Sequence, residues 1–442
     1  MMNTEELIEM KSRRRTQRLK ETVIASFGEP ASNLRARLTE FSERDWRRAL
    51  YWMDVSGLAL YFLDRINHLG LQGSLPSTIC DRLQNNLSQN SKRAVSLFGD
   101  AVALSMKFKR KSIKFAFLKG ITLCPESVPN NALRCQMDLD VLVREAQADE
   151  ARQCLESLGY VLTVVSGTTW EFKAGSGVAQ FKDLYRVRPQ RSVDLHLLPS
   201  DVENAACYSL DLLSRSQLRS FHGLFLPVLS PEDLFVQQAL HLFKHICSEY
   251  ARAFWLLEFW RHVIARRPDA KFWRDVRALA SATPGAVVAI GVSTLMATLV
   301  FGKFAPEELS QWSMNNLSPA VWLWVQLYGR RTLLSSFPGS KLYLLLQRQL
   351  VPDTRENRAA IRRRIFPIHR PSNITHAISG ETFTSRLLRY KIQVKYLRFR
   401  IRIHVVEGLR YAIESLRWKR RLADLENEFA SAMLSVEGPI EG

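Results

Sequence analysis

The sequence predicts an α+β protein in which a small mixed-sheet core is flanked by N-terminal and C-terminal helical regions. Three observations carry that reading. A short apolar run falls at Phe115-Ala-Phe-Leu118 before Lys119-Gly120, and apolar alternations at Met137-Asp-Leu-Asp-Val-Leu-Val143 and Ser192-Val-Asp-Leu-His-Leu-Leu198, the patterns of strands. On both sides of that stretch, apolar residues recur at helical spacing instead. The chain has 442 residues and is 46% hydrophobic, which exceeds one usual domain and fills a core or two.

Four regions follow in order. Residues 1–95 read as helical, with a basic run Lys11-Ser-Arg-Arg-Arg15, apolar positions Leu50, Trp52, Leu58 and Leu60, and a break at Gly73-Ser-Leu-Pro76. Residues 96–230 form the α/β core. It is expected to hold a helix from Ala101 to Phe108, the Lys-Gly strand, the Asp-x-Asp strand, a helix closing on Gly159, and strands near residues 160–165, 178–187 and 192–198. Residues 231–345 return to helix, rich in Trp and Leu. Residues 346–442 are basic and helical or partly extended. There Leu397-Arg-Phe-Arg-Ile-Arg-Ile-His-Val405 alternates as a strand does, yet Leu397, Ile401 and Val405 also make a helical stripe, and helix is the reading favoured.

Residues 284–302 carry no charge and are about 17 residues of apolar character, the bottom of the membrane-spanning range. Gly285, Gly291, Ser293, Thr294 and Thr298 dilute the segment, so a buried helix is expected. The six cysteines show no C-x-x-C pair, and the chain opens Met1-Met-Asn-Thr-Glu-Glu with early acids. Reduced thiols and a cytoplasmic protein are the expectation.

The chemistry concentrates in the core. Asp138 and Asp140 are one residue apart within an apolar strand, so their side chains share a face. Two like charges on one face repel, and burial raises their pKa values, unless a divalent metal or a basic group neutralises them. Asp194 and His196 share a face on a later strand, so a third acid can converge. The alternative is that Asp138 and Asp140 sit at a solvated strand edge and Asp194 is an ordinary polar-face residue.

Leu-Lys-Gly, then Arg134, then Asp-x-Asp in an apolar strand, then a lone Asp in a later strand, is an order that resembles the nucleotidyltransferase superfamily of the DNA polymerase β type. Within it the chain is similar to the family of uncharacterised nucleotidyltransferases, from about residue 55 to about residue 370. Ala151-Arg-Gln-Cys-Leu-Glu-Ser-Leu-Gly-Tyr160, Pro231-Glu-Asp-Leu234 and Ala239-Leu-His-Leu-Phe-Lys-His245 look like further landmarks of that family. The resemblance implies a nucleotidyltransferase-like core that moves a nucleoside monophosphate from a nucleoside triphosphate (NTP) to a hydroxyl-type acceptor, releasing pyrophosphate. It also implies Mg2+ (or Mn2+) held by Asp138, Asp140 and Asp194, with Asp194 supporting the metal site or assisting deprotonation of the acceptor. Lys119, Gly120 and Arg134 become nucleotide-binding residues. Ile121-Thr122 stands where most active superfamily members have Gly or Ser. The acceptor is left open.

Beyond the core, His241, His245 and Glu249 are spaced i, i+4, i+8 and are expected on one helical face. With His196 they could line the cleft, or they could be hydrogen-bonded histidines between helix and sheet. Zinc is disfavoured, because H-x-x-x-H here lacks the intervening Glu and third ligand. The formal net charge is +19, much of it in Arg362-Arg-Arg364, Lys391, Lys395, Arg398, Arg400, Arg402 and Trp418-Lys-Arg-Arg421. A polyanion (nucleic acid or an anionic membrane surface) or an acidic protein could dock there, or the face could be merely solvated. Two rivals to an enzyme therefore stand: a non-catalytic nucleotide-binding scaffold and a basic adaptor.

Overall fold

The apolar alternations assemble into one seven-stranded mixed sheet. A computed structural model of the chain describes residues 4–28, 33–175, 183–187, 190–199, 212–337, 339–365 and 382–436. Its strands are β1 (Phe115–Phe117), β2 (Leu139–Arg144), β3 (Val161–Ser166), β4 (Thr169–Ala174), β5 (Arg191–Leu198), β6 (Gln217–Phe221) and β7 (Leu224–Val228). They lie side by side in the order β3-β4-β5-β2-β1-β7-β6. β2 runs parallel to β5 and antiparallel to β1, and β1 runs parallel to β7. An antiparallel hairpin closes each edge.

Alternation decides which face is core. Leu139, Val141 and Val143 on β2 and Val193, Leu195 and Leu197 on β5 are buried against Leu104 and Phe108 of the Ser77–Arg110 helix and Ala151 and Leu155 of the Ala148–Ser157 helix. Fully burying one such aliphatic side chain contributes about 1.5–3 kcal/mol. The intervening residues of both strands, Asp140 and Asp194 among them, are left for the opposite face.

The expected helix from Ala101 to Phe108 is the last part of that 34-residue Ser77–Arg110 helix. Its apolar signal is strongest there because Ala101, Leu104 and Phe108 are the part packed on the sheet. The strand expected at 178–187 needs correction. Residues 183–187 form a turn, residues 176–182 lie outside the described residues, and β3 pairs instead with β4 across the turn at Gly167 and Thr168. The β6-β7 hairpin was not anticipated. Its turn residues His222 and Gly223 both have positive φ, 48° and 80°, the mirror-image turn that matches strand twist.

The N-terminal region is helical, as expected, with helices at Thr4–Ala25, Leu34–Thr39, Glu43–Ser56 and Ala59–His68. Ser42 and Asp45 form a reciprocal capping box at the start of the third. Residues 286–301 form a helix whose Ile290, Val292 and Met296 are fully buried. No helix among the described residues is long and apolar enough to cross a membrane. The Pro231–Ile246 helix carries His241 and His245 but stops before Glu249, which corrects the i, i+8 expectation. Ser248 ends it by bonding the His245 carbonyl through both its amide and its hydroxyl.

Two compact units result, residues 1–243 with 252–317 and residues 244–251 with 318–442. In the second, Leu344, Leu345, Leu346, Ile361, Tyr411 and Trp418 are buried. Buried Lys341 gives its ammonium to the carbonyls of Arg364 and Ile365 at the end of the Arg355–Ile365 helix, where a cation complements the helix dipole. Residues 397–405 lie within the Phe383–Val436 helix, so the helical reading holds over the strand.

Candidate active site

Strand register builds the site. Across the parallel β2-β5 pair, Asp140 faces Asp194 and Leu142 faces His196. Register partners point to the same side of a sheet, so the two acids and the imidazole converge. Ligating atoms of Asp140, Asp194 and His196 all lie within 4.8 Å of one another. Asp138 immediately precedes β2 and lies outside that group, although its charge is felt within it. Burial pushes the Asp138 carboxyl up, and Asp140 adds to the rise.

Asp140 is the most heavily partnered of the acids. After β1 the Leu118 amide bonds the Asp140 carbonyl at 3.1 Å, which extends the ladder and aims Lys119. The Lys119 ammonium lies 2.7 Å from Asp140 Oδ1, and His196 Nε2 lies 2.9 Å from the same oxygen. Burial alone would push the Asp140 carboxyl up, but Lys119 and His196 outweigh it and hold the group well below its ordinary value. Asp194 fares differently. Burial first, then the charges of Asp138 and Asp140, push it up to about 6. Glu171 on β4 is its register partner on the other side and adds negative charge, while itself paired with Lys173 at 2.7 Å.

Gly120 opens a tight turn over Gly120–Leu123 with φ +70°. A Cβ at that position would lie 2.0 Å from Gln136 Nε2. That amide donates to the Asp138 carbonyl at 2.7 Å, so the glycine leaves room for the side chain that pins the backbone of the acid pair. Arg134 lies deeper. Its Nε donates to Glu258 Oε1 at 2.9 Å, the Tyr61 hydroxyl donates to the same oxygen at 2.6 Å, and the guanidinium lies 5.3 Å from the Phe254 ring centre. Its charge still reaches Asp138, where it offsets part of the rise. His241 packs edge-on against Trp255 with centres 5.1 Å apart; neither it nor His245 belongs to the 4.8 Å group.

Sequence reasoning did not single out Gln136, Tyr61, Thr169, Glu171 or Glu258. Thr169 and Glu171 were hidden with the unanticipated strand β4. Glu258 sits in an apolar helix and shows only as a lone acid there, and Tyr61 and Gln136 carry no sequence signal. Asp140, Asp194 and His196 nevertheless make a group of two carboxylates and one imidazole that could hold a divalent ion. His196 Nδ1 lies 3.3 Å from Thr169 Oγ1, the outer-shell partner that orients a ligating imidazole.

A mixed sheet with acids on neighbouring strands, a lysine reaching one of them and a glycine turn behind it agrees with the nucleotidyltransferase-like core that the resemblance implies. The chain belongs to the family described as uncharacterised nucleotidyltransferase, which matches residues 42–302. Among solved structures it is similar to an antigenic nucleotidyltransferase-like protein from Paracoccidioides brasiliensis, at 14% identity, over 49% of this chain and 97% of that one. The TM-score is 0.27. No curated protein matches the chain.

Proposed function

We propose that the protein is a metal-dependent nucleotidyltransferase that moves a nucleoside monophosphate from an NTP to a hydroxyl-type acceptor and releases pyrophosphate. The observation that carries this is the register match of Asp140 with Asp194 on parallel strands, with Asp138 one pleat away. Asp138, Asp140 and Asp194, with His196 beside them, would hold Mg2+ or Mn2+. A bound ion supplies charge neutralisation and alignment of the phosphates. Lys119 is placed to release Asp140 and turn to a phosphate oxygen. Asp194, with its carboxyl near 6, is suited to accept a proton from the acceptor hydroxyl near neutral pH. His241 and His245 remain proposed cleft residues. The cytoplasm, where NTP and Mg2+ are abundant, is the proposed setting.

One observation favours the non-catalytic scaffold: Lys119 already neutralises Asp140 at 2.7 Å. A single experiment separates the two. Purified protein is incubated with each labelled NTP, Mg2+ or Mn2+ and a cell extract, and a labelled acceptor is sought. Asp138→Asn and Asp140→Asn should each lower transfer by at least about a hundredfold, since disturbing even an outer-shell partner costs about 10–100-fold. Both variants should keep the fold. Wild-type transfer by either one would sink the metal assignment, and NTP binding without transfer to any acceptor would leave the scaffold.

A further inference from the structure

The Phe383–Val436 helix carries an unusual pattern in its first half. Leu387, Tyr390, Val394, Leu397, Ile401 and Val405 are each between 47% and 61% exposed. Their steps of three and four residues put them in one stripe along the helix, about 27 Å long at 1.5 Å per residue. Lys391, Lys395, Arg398 and Arg402, all exposed, follow the stripe along one side. No acidic residue occurs between Phe383 and Val406. The second half of the helix also exposes Leu409, Ile413 and Leu416, but it carries acids from Glu407 onward and buries Tyr411 and Trp418 at 4% and 3% exposure.

We infer that this half-helix is a docking surface for an anionic lipid bilayer, lying in the headgroup plane with the aliphatic stripe towards the acyl chains. The charge pattern selects that occupant. A second copy paired through the same stripe would bring the basic rows together with no acid to offset them, which opposes association. A nucleic acid would engage the basic row but leaves Leu387, Val394, Leu397, Ile401 and Val405 without a role, since bases stack on aromatic rings. An apolar stripe edged by Lys and Arg, with exposed tyrosine, is the pattern of an interfacial helix. Each basic side chain near an anionic surface adds to binding, and the attraction falls off within a Debye length.

The test uses the full chain in co-sedimentation with vesicles of phosphatidylcholine alone or phosphatidylcholine with phosphatidylglycerol. Binding should require phosphatidylglycerol and weaken as salt rises. Val394→Asp with Ile401→Asp should weaken it at least about tenfold, and so should Lys391→Gln with Lys395→Gln, Arg398→Gln and Arg402→Gln. All six positions are exposed, so circular dichroism and melting temperature should stay at wild-type values. Three results would overturn the inference. One is no binding to either vesicle. Another is binding lost on charge removal but kept in the aspartate variant, with competition by single-stranded RNA, which would make the surface a plain polyanion site. The third is concentration-dependent self-association, seen by sedimentation, that the aspartate variant abolishes.

Discussion

Two carboxylate-cation pairs lie in the same unit, and they are built to different ends. Glu258 and Arg134 are sealed, with side chains 1% and 10% exposed, and Tyr61 shares the carboxylate. Asp140 is also buried, at 5% exposure, but its partner Lys119 is 30% exposed and approaches from the end of a strand. The sealed pair has no exchangeable member, because removing either charge strands the other in a low-dielectric interior. The open pair has one. Lys119 can withdraw into solvent on its flexible stem and leave Asp140 to another cation. Fixed charge in the first pair and replaceable charge in the second is what separates the two.

The largest expected effect comes from breaking the sealed pair. Arg134→Met leaves Glu258 buried without its cation and should lower unfolding stability by about 3–5 kcal/mol, read by urea denaturation. A loss under about 1 kcal/mol would mean that Arg134 is a nucleotide contact first and a structural ion second. Opening the other pair should do the reverse. Lys119→Met removes the resident cation and should raise Mn2+ affinity in the absence of nucleotide by about tenfold, or ~1.4 kcal/mol, measured calorimetrically. Unchanged affinity would show that Lys119 and the ion do not compete.

Asp194 sharpens the contrast further, as an acid with no lysine or arginine partner among the described residues. Asp194→Ala should lower turnover by about 10²–10⁴-fold, the usual range for general acid-base catalysis, with NTP affinity little changed. Equal losses of affinity in Asp194→Ala and Asp138→Ala would instead join the three acids into one binding unit.

A further effect is on stability against pH. The Asp194 carboxyl titrates near 6 in the folded protein and near 3.9 in an unfolded chain. Between those values the folded state holds a proton that the unfolded state has released. Stability from this group is therefore complete below about pH 4, declines as pH rises, and is gone above about pH 6. Asp194→Asn should remove that slope from the metal-free protein. Melting curves from pH 4 to 7 that fall in parallel for variant and wild type would assign the slope elsewhere.

Much of this was legible in the sequence, and the limit has a physical cause. Period-two alternation exposed β2 and β5, because each places apolar residues on a buried face, and the apolar run Phe115–Leu118 exposed β1, which is buried at every position. The same period put Asp138 with Asp140 and Asp194 with His196, while the pairing of β2 with β5 is a non-local event that no window of sequence displays. β3 was expected near residues 160–165 even though Val161, Val164 and Val165 on that edge strand are exposed, whereas its partner β4 was missed. Glu258 and Tyr61 were invisible for another reason. A buried ion pair is recognised by its partner, and Arg134 meets Glu258 from 124 residues away.

The parallel match of β2 with β5 also has a kinetic side. Between the two strands the chain must pass through the Ala148–Ser157 helix and the β3-β4 hairpin, so Asp140 and Asp194 are strangers in the unfolded polypeptide. Their repulsion is born only when β5 docks, a step that already carries the loop-closure cost of a distant pairing. Discharging Asp194 below pH 6, or supplying an ion that binds both acids, lightens that step alone. Assembly of the acid cluster and docking of β5 on β2 are thus one event.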